Sequence, residues 1–471
     1  MKILGILLFL LGSGTMMATA QQARTTKEAV HLIKLANSFR ALDRSPQAIN
    51  LLLRALPAVK TKDLYWEAVT YELLGLAHNE QQNRPEALRY LELARTRYRK
   101  LRYEGSVWVV GELIREIADK NLYAGIQFGT SGTKLAIFQT KLVNGFYEKD
   151  IKARIDLPNE TDQLTRAGKD ALTTCIDSIR RYNIPNERVF VVIGSEIGRS
   201  VVKMPDINNK PKLYKQLSSA LPKGVQQIDT TLTPTREAEL FTLGAIPRNV
   251  WPTTSALEIS GGGTMGGYFD TNRKFHAITV PFGPKALVSQ IEAKRSLSIT
   301  AFKREAQRVV QAIADTALVP KFYTQNKGLQ QRKTVGVGGD ITWALLTYLY
   351  PEKANVTALP ITLADVARFK ELALTDYQAL THPDLNGISD PALKRMAEKD
   401  VNTMQNLLDE KQIIAGALWL DTILRIYSTQ SVPKRVVFIR NSDIGWVTGK
   451  FLETINQESA KTMNKETLSA Q

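Results

Sequence analysis

The sequence of 471 residues predicts an α/β fold with two lobes, preceded by an all-α region. Three observations support this fold class. From residue 121, short apolar runs alternate with amphipathic segments of helical length. A second segment from residue 253 repeats that order, and each segment opens with an apolar run that ends at glycines. Between residues 21 and 120, small residues recur instead at the spacing of packed helices.

The first 20 residues predict a cleaved signal peptide. Met1–Leu11 combines a charged start with a short apolar run, and Ala18–Ala20 places small residues where a signal peptidase cleaves. We therefore expect an exported, periplasmic or extracellular chain that starts at Gln21; an uncleaved anchor is the alternative. No cysteine follows the apolar run, so lipidation is not expected, and no later segment has the pattern of a membrane span.

Composition narrows the classes of partner. The formal net charge of +16 favours acidic partners such as polyphosphate, nucleotides or lipid headgroups. The densest basic stretch, Lys203–Lys223, has no aromatic residues interleaved in a stacking pattern, so we expect no specific nucleic-acid partner. That stretch is either a substrate funnel or a solvated surface. The single cysteine, Cys175, excludes an internal disulfide and predicts a buried small side chain, and the four histidines lack the paired spacing of a zinc site.

Residues 21–120 predict a tetratricopeptide-like helical region. Small or apolar residues recur 39 positions apart, as two close-packed helices in each unit require. The pairs are Ala36 with Gly75, Ala48 with Ala87, Leu52 with Leu91, and Ala55 with Ala94. Pro46 and Pro85 begin the second helix of each unit. A generic helical bundle is the alternative, and with either arrangement a protein partner of the repeats is conceivable.

Three glycine-rich turns, in Ala124–Lys134, Glu258–Thr264 and Val335–Asp340, are the most informative local feature. Glycine allows φ > 0 and a close backbone approach, so such turns can point N–H groups at an anion. Each turn alone is equally well explained as a strand connection. As an ordered set, they predict phosphate-binding loops.

That order is similar to the actin-type ATPase superfold, in which two ribonuclease-H-type lobes surround a cleft. Thr233–Gly244, Ile278–Gly283 and Val436–Trp446 further resemble motifs of the exopolyphosphatase and guanosine-pentaphosphate phosphohydrolase (Ppx/GppA) family. The resemblance runs from Asn121 to Leu452. It implies actin-like lobe I at 121–252 and actin-like lobe II at 253–455. It also implies a phosphate-chain substrate and Mg²⁺, with no other cofactor. Residues 456–471, rich in Lys, Thr, Ser and Gln, indicate a flexible tail.

The chain departs from the family pattern at its acids. Gln127 stands where the family has the aspartate of the first loop, and an amide cannot supply the charged oxygen that Mg²⁺ prefers. In the second loop, either Glu258 replaces the family's acid with a shift of one residue or the acid is absent. Arg236 replaces the first member of an acidic pair, which leaves Glu237 as the general base that the resemblance implies.

The resemblance and the turns together give the candidate site. Glu237 is the predicted catalytic base and Glu258 the predicted metal ligand. The predicted phosphate-binding residues are Gly129, Thr130, Ser131, Thr133, Arg199, Gly261, Gly262, Gly263, Thr264, Gly338 and Gly339. Lys134 is directed either to the same phosphate or to solvent, and Asp340 is a conceivable replacement for the missing metal ligand.

Three hypotheses for function remain open at this point. The first is an exported Ppx/GppA-like phosphohydrolase homologue that binds polyphosphate or a phosphorylated nucleotide between the lobes and hydrolyses it weakly. The second is a catalytically degenerate scaffold of the cell envelope that binds a polyanion or a protein, using its helical repeats. The third is a scaffold whose cleft is vestigial. Gln127 and Arg236 favour the second, whereas Glu237 and the retained glycines favour the first.

Overall fold

The computed structural model describes residues 22–118, 121–129, 132–143, 146–157, 164–194, 210–226, 228, 232–429 and 433–456. The predicted signal peptide, Thr130, Ser131, Arg199 and nearly all of the predicted tail lie outside these residues. The chain divides into two compact units, one up to Asn121 and one from Leu122. In the described part of the chain, no helix combines the length and the apolar character that crossing a bilayer requires.

The first unit consists of five helices. These are α1 (Thr26–Ala41), α2 (Ser45–Val59), α3 (Leu64–Glu80), α4 (Arg84–Lys100) and α5 (Glu104–Ile117). Helices α1 and α2 pack together, as do α3 and α4. A Cβ atom on Gly75 would lie 2.6 Å from Cγ of Leu91, so α3 and α4 can approach this closely only with glycine at that position. The predicted small residues therefore lie at the helix crossings.

The second unit begins with a four-stranded sheet of order β3-β2-β1-β4. Its strands are β1 (Leu122–Gly129), β2 (Gly132–Val143), β3 (Phe146–Leu157) and β4 (Val189–Ile193). The first three strands form an antiparallel meander, and β4 is parallel to β1. Helices α6 (Leu164–Arg181) and α7 (Lys210–Ala220) complete this half, and α8 (Pro234–Ala245) follows them in the chain and packs against the second sheet. All five residues of β4 are buried, as its continuous apolar run predicts.

The second sheet has six strands in the order β7-β6-β5-β8-β10-β9. They are β5 (Thr254–Ser260), β6 (Gly263–Phe269), β7 (Phe275–Val280), β8 (Thr334–Gly338), β9 (Ala358–Ile361) and β10 (Arg435–Ile439). Strands β5, β6 and β7 repeat the antiparallel meander, and β8 is parallel to β5. This repetition confirms the predicted α/β fold of two similar lobes.

Helices cover the second sheet and bury a large apolar core against it. They are α9 (Pro284–Ile291), α10 (Ile299–Ile313), α11 (Asp340–Leu349), α12 (Leu363–Thr375), α13 (Tyr377–Thr381), α14 (Pro391–Leu407) and α15 (Glu410–Ser428). The last helix, α16 (445–456), packs instead on the first sheet, where Phe451 contacts Phe138 and Phe190. Two π-helical segments, Ala314–Leu318 and Pro320–Gln325, follow α10. The sequence from Asp365 to about Leu380 predicts one helix, and the structure differs from this in one respect. Asp376 interrupts it, because its side chain accepts a hydrogen bond from the N–H of Ala379 and starts α13.

Candidate anion site between the lobes

One face of the first sheet carries a row of polar side chains. Gln127 on β1 lies opposite Lys134 on β2, and Lys134 lies opposite Asp156 on β3. Arg154 is two residues before Asp156 and therefore shares that face. The alternation of side chains along the three strands thus brings an amide, two cations and a carboxylate to one surface, which faces the residues that follow β10.

Asp443, after β10, holds the two cations of this row. Its Oδ2 accepts a hydrogen bond from Nζ of Lys134 at 2.7 Å, and its Oδ1 accepts one from Nη1 of Arg154 at 2.8 Å. Nη2 of Arg154 also pairs with Oδ2 of Asp443. Arg154 extends its Nε to Asp156 as well, at 2.9 Å. Since Lys134 and Arg154 belong to the first sheet and Asp443 follows the last strand of the second, these ion pairs join the two lobes.

Burial and charge set the ionisation of this cluster. Burial alone would raise the pKa of Asp443, but Lys134 and Arg154 hold that pKa well below its usual range. Burial would lower the pKa of Lys134, but Asp443 and Asp340 raise it above its ordinary value. Burial raises the pKa of Asp340, the neighbouring charge of Asp443 adds to the rise, and Lys134 opposes it. Asp340 is therefore the acid in this cluster that takes up a proton at least cost.

Gln127 forms a second connection to the same segment. Its Nε2 donates a hydrogen bond to the carbonyl oxygen of Asp443 at 2.7 Å, and its Oε1 accepts one from the N–H of Val447 at 3.3 Å. Gln127 is 4% exposed. Both ends of the amide are thus used within the protein, at the position where the resemblance implies a metal-binding acid.

The first glycine turn closes the β1–β2 ladder, where Gly129 pairs with Gly132. Gly132 has φ of 131°, a conformation that favours glycine. Thr130 and Ser131, between them, lie outside the described residues. Thr133 is fully buried, and its hydroxyl has no hydrogen-bond partner among the described residues. A ligand or water that reached this hydroxyl would relieve a cost of about 1–3 kcal/mol.

The second glycine turn is a two-residue connection, Gly261–Gly262, and Gly263 begins β6. The N–H of Gly261 donates to Oδ2 of Asp340 at 3.2 Å, and its carbonyl accepts from the N–H of Lys285 at 2.9 Å. A Cβ atom on Gly261 would meet nothing closer than 3.7 Å. This turn is therefore held by the start of two helices, α9 and α11, with open space on one side.

Thr264 uses its hydroxyl within the protein. It donates to the carbonyl oxygen of Phe282 at 2.8 Å and accepts from Nε1 of Trp419 at 2.8 Å. Thr264 is 1% exposed. With both hydrogen bonds made to the protein, this side chain supports the turn, and we leave it out of the proposed anion site.

The third glycine turn packs against its neighbours. Gly339 has φ of 91°, and a Cβ atom there would lie 2.3 Å from the carbonyl oxygen of Ile259. A Cβ on Gly338 would lie 2.0 Å from Oγ of Ser442, which accepts a hydrogen bond from the N–H of Gly339 at 3.1 Å. These two glycines let β5, β8 and the segment after β10 approach closely, and this packing accounts for both of them.

The predicted catalytic glutamate and its neighbour lie in the first turn of α8. Glu237 is fully buried in the first turn of α8 and does not line either of the two cavities described below. Arg236 pairs with Glu239 at 2.6 Å and with Glu453 of α16 at 2.5 Å, so it ties two helices together. Glu258, the predicted metal ligand, is 4% exposed at the end of β5 and lines the smaller cavity.

Two cavities lie beside the cluster, and Asp443 borders both. The smaller, of about 100 Å³, is lined by charged groups that include Lys134, Glu258, Lys285 and Asp340. The larger, of about 340 Å³, is lined by Arg154, Trp343, Met396, Asp400 and Arg440, among others. The ion pairs of Asp443 thus lie between a small charged cavity and a larger mixed one.

The donor set does not fit a Mg²⁺ ion. In the described ranges, no three His, Cys, Asp or Glu side chains come together as a metal-binding group. Nζ of Lys134, 2.7 Å from Asp443, supplies the positive charge that a cation would otherwise bring to this carboxylate. A protein ordinarily supplies one or two free carboxylates to Mg²⁺, and water and phosphate oxygens complete its octahedron; here Asp443 is occupied by Lys134 and Arg154, and Asp340 accepts from the N–H of Gly261. No step of the function proposed below uses a metal ion, and the metal-binding role of Glu258 stays a prediction.

Asp443 and Arg154 were missed by the sequence analysis. One signal could have found Asp443, because it follows an apolar strand of a partly parallel sheet, and ligand sites lie beyond the carboxyl ends of such strands. Arg154 gave no such signal, since an arginine on an amphipathic strand is ordinarily a surface residue.

Comparisons with known proteins show that this chain is similar to several solved structures. No protein-family model matches the sequence, and no curated protein matches it significantly. A crystal structure of the Aquifex aeolicus Ppx/GppA family member is 18% identical, covers 72% of this chain and 98% of its own, and gives a TM-score of 0.46. An exopolyphosphatase from Cytophaga hutchinsonii is 13% identical with the same coverage and a TM-score of 0.48. The type II variant of the Aquifex aeolicus Ppx/GppA phosphatase is 15% identical, covers 70% of this chain and 98% of its own, and gives a TM-score of 0.43.

These structures are of the Ppx/GppA family, to which the motifs of this sequence also point. The fold itself follows from the strand order of the two sheets. In each, a three-stranded antiparallel meander is followed by a strand parallel to its first strand. The chain therefore has two α/β lobes that share one strand order.

Proposed function

We propose that this protein binds a phosphate-chain anion, polyphosphate or a phosphorylated nucleotide, between its two lobes and hydrolyses it weakly or not at all. The observation that carries the proposal is the hydrogen bonding of Gln127. Its amide is engaged at both ends, with Asp443 and Val447, where an acid that gathers Mg²⁺ would be needed for hydrolysis.

The charged cavity supports the binding half of the proposal. Lys134 and Lys285 line it beside the Gly261–Gly262 turn, and an oxyanion can bind to lysine and to backbone N–H groups at such a turn. The lining acids Glu258, Asp340 and Asp443 oppose an anion. Asp340, whose pKa is raised by burial, can take up a proton and reduce that opposition. The net charge of +16 attracts polyanions from solution.

The remaining contacts support weak hydrolysis. A general base must lie within hydrogen-bond reach of the attacking water. Glu237, the candidate for that role, is fully buried and lines neither cavity. Arg236, at the position of the first acid of the family pair, is engaged with Glu239 and Glu453. Binding groups thus line the cavities, while the predicted base Glu237 does not.

The experiment is to measure binding and turnover together on the purified chain from Gln21. Tripolyphosphate, long-chain polyphosphate and guanosine pentaphosphate are titrated by calorimetry, and phosphate release is followed with and without Mg²⁺. We expect binding that weakens steeply with salt for the long chains, because each neutralised charge releases counterions. We expect phosphate release near background.

The variant that tests the site is Gly262→Val, which places a side chain in the turn. This variant should keep its helical content by circular dichroism and lose the stabilisation that tripolyphosphate gives the wild type against heat. Equal ligand-induced stabilisation in both proteins would contradict a site at this turn. Fast metal-dependent phosphate release by the wild type would contradict weak hydrolysis.

A second candidate function, protein binding through the helical unit, is favoured by its surface. Five of the eight large hydrophobic side chains that are exposed in the described residues belong to it: Leu35, Leu42, Leu53, Tyr65 and Tyr103. An apolar surface on short helical repeats is suited to a protein partner. We also propose export, on the pattern of residues 1–20. Recovery of the protein from the periplasmic fraction, starting at Gln21, would test it.

A further inference from the structure

Lys134 and Arg154 surround the carboxylate of Asp443 as a pair of cations surrounds a bound oxyanion. The lysine donates to Oδ2 at 2.7 Å, and the arginine uses both terminal nitrogens, with Nη1 at 2.8 Å from Oδ1. Two-pronged contact from an arginine with an added lysine is the geometry by which proteins hold phosphate and carboxylate ligands. In this protein the anion is part of the chain.

The three groups are buried together. The side chains of Lys134 and Asp443 are 11% and 10% exposed, and that of Arg154 is 17% exposed. Two buried cations without a counter-ion would be costly, so an anion must always accompany them. The depressed pKa of Asp443, caused by Lys134 and Arg154 against the effect of burial, is consistent with a carboxylate that stays charged in this position.

Asp443 also lies between the two cavities, since it lines both of them. Lys134 lines the smaller cavity and Arg154 the larger. An anion that enters either cavity therefore reaches a cation, Lys134 or Arg154, that is already bound to Asp443. The position of Asp443 decides whether the two cations are available to a ligand.

We propose that Lys134 and Arg154 are an oxyanion site that the side chain of Asp443 fills, and that a phosphate-type ligand binds to them by displacing it. The inference rests on the proposed function and adds the regulation of that site. Because Asp443 also joins the lobes, displacement releases a connection between them. The internal carboxylate is always nearby, so an external anion competes against a high effective concentration.

Occupation of the site by Asp443 weakens the affinity for an external anion. When the competent state is only a fraction of the population, the observed Kd is raised by the inverse of that fraction. If Asp443 fills the site in nine molecules of ten or more, removing its charge should lower the Kd for a phosphate-type ligand by about tenfold or more. The connection made by Gln127 involves the carbonyl of Asp443, so a side-chain substitution retains it.

The test uses inorganic tripolyphosphate and calorimetry on the full mature chain. Asp443→Ala and Asp443→Asn should each bind at least about tenfold more tightly than the wild type. The matched control is Asp400→Ala. Asp400 also borders the larger cavity and is ion-paired, with Arg440 at 2.7 Å, but it does not cover Lys134. Its Kd should stay within about twofold of wild type, and adding Lys134→Met to Asp443→Ala should cancel the gain.

Hydrogen exchange of the wild type provides a readout that does not depend on the folding of a variant. Saturating tripolyphosphate should increase deuterium uptake in the peptide covering residues 441–447, because the ion pairs of Asp443 with the first sheet are released and only the hydrogen bonds of Gln127 remain. Unchanged or reduced uptake there overturns the proposal, as does an unchanged Kd in both Asp443 variants or an equal gain in Asp400→Ala. Binding by the wild type with no effect of Asp443 would leave the proposed function standing. No binding by any variant would remove both.

Discussion

Gln127 and Asp443, 316 residues apart in the chain, are joined by a hydrogen bond of 2.7 Å from the side-chain amide of the first to the carbonyl of the second. The same amide accepts from Val447. Strand β1 of the first lobe is thereby attached to the start of α16. A residue at the place of a metal-binding acid thus has a structural role, which an aspartate could not take over without losing the donated hydrogen bond.

The first prediction is that Gln127→Glu destabilises the protein. The substituted carboxylate cannot donate to the carbonyl of Asp443, which would leave that buried oxygen without its partner and add a negative charge beside it. We expect the free energy of unfolding to fall by about 1–3 kcal/mol, measured by urea denaturation. Gln311→Glu, which alters an exposed glutamine of α10, is the control and should change it by less than about 0.5 kcal/mol.

A further prediction concerns hydrolysis and uses substitutions of Gln127 and Glu237. If the absent acid alone limited hydrolysis, Gln127→Asp would raise Mg²⁺-dependent phosphate release, and adding Glu237→Ala would cancel the gain. We expect no gain, because the neighbouring donor set does not suit Mg²⁺ and Glu237 does not line the cavities. A marked increase in phosphate release by Gln127→Asp would contradict the geometry argued above.

Much of the fold was predictable because its signals are local. Val189–Ile193 is a run of apolar residues that suits only a strand buried on both faces, and the structure gives a strand with those bounds. Apolar residues at helical spacing, Leu172, Ile176 and Ile179, likewise indicate the helix α6. The interruption at Asp376 was not predicted, because an aspartate within an amphipathic pattern is compatible with either a surface position or a cap.

The site was less predictable because its contacts are not local. Lys134 and Asp443 meet across 309 positions of sequence, and neither belongs to a motif that specifies the other. The glycine turns could be recognised in the sequence, but the contacts that fix their conformation could not. Only the packing shows that Gly339 is required by the carbonyl of Ile259, whereas Gly261 borders open space.

That difference gives a second prediction. Gly339→Ala should lower the free energy of unfolding by about 2 kcal/mol or more, because φ of 91° is strained for alanine and the added Cβ would contact the backbone of β5. Gly261→Ala should change it by less than about 1 kcal/mol, since the nearest atom to its Cβ is 3.7 Å away. Equal losses of stability, measured by thermal and urea denaturation, would contradict the distinct roles assigned to the two turns.

A third prediction concerns the single thiol. Cys175 is fully buried, and burial raises its pKa to about 12. Because the thiolate is the reactive form, the native protein should not react with a thiol-specific disulfide reagent at pH 8 on the time scale of minutes. In denaturant, one thiol per chain should react at once. Rapid reaction of the native protein would show that the core between α6 and the first sheet opens readily.

The last prediction is the pH dependence of the Asp443 ion pairs. The folded pKa of Asp443 is depressed, so its contribution to stability is fully present above the unfolded pKa of about 3.9 and is lost as the pH falls toward the folded value. At pH 7, Asp443→Asn should lower the free energy of unfolding by about 3–5 kcal/mol, because two buried cations lose their counter-charge. The difference between wild type and variant should be constant from about pH 5 to 8 and shrink below about pH 4. Asp340 has the opposite trend, because its pKa is raised; the charge of Asp443 adds to that rise, so the contribution of Asp340 is smaller in Asp443→Asn than in the wild type. Asp156→Asn, at the more exposed carboxylate on Arg154, is the control and should give a smaller and flatter difference. A difference for Asp443→Asn that did not shrink in acid would mean that the charge of Asp443 does not hold the lobes together.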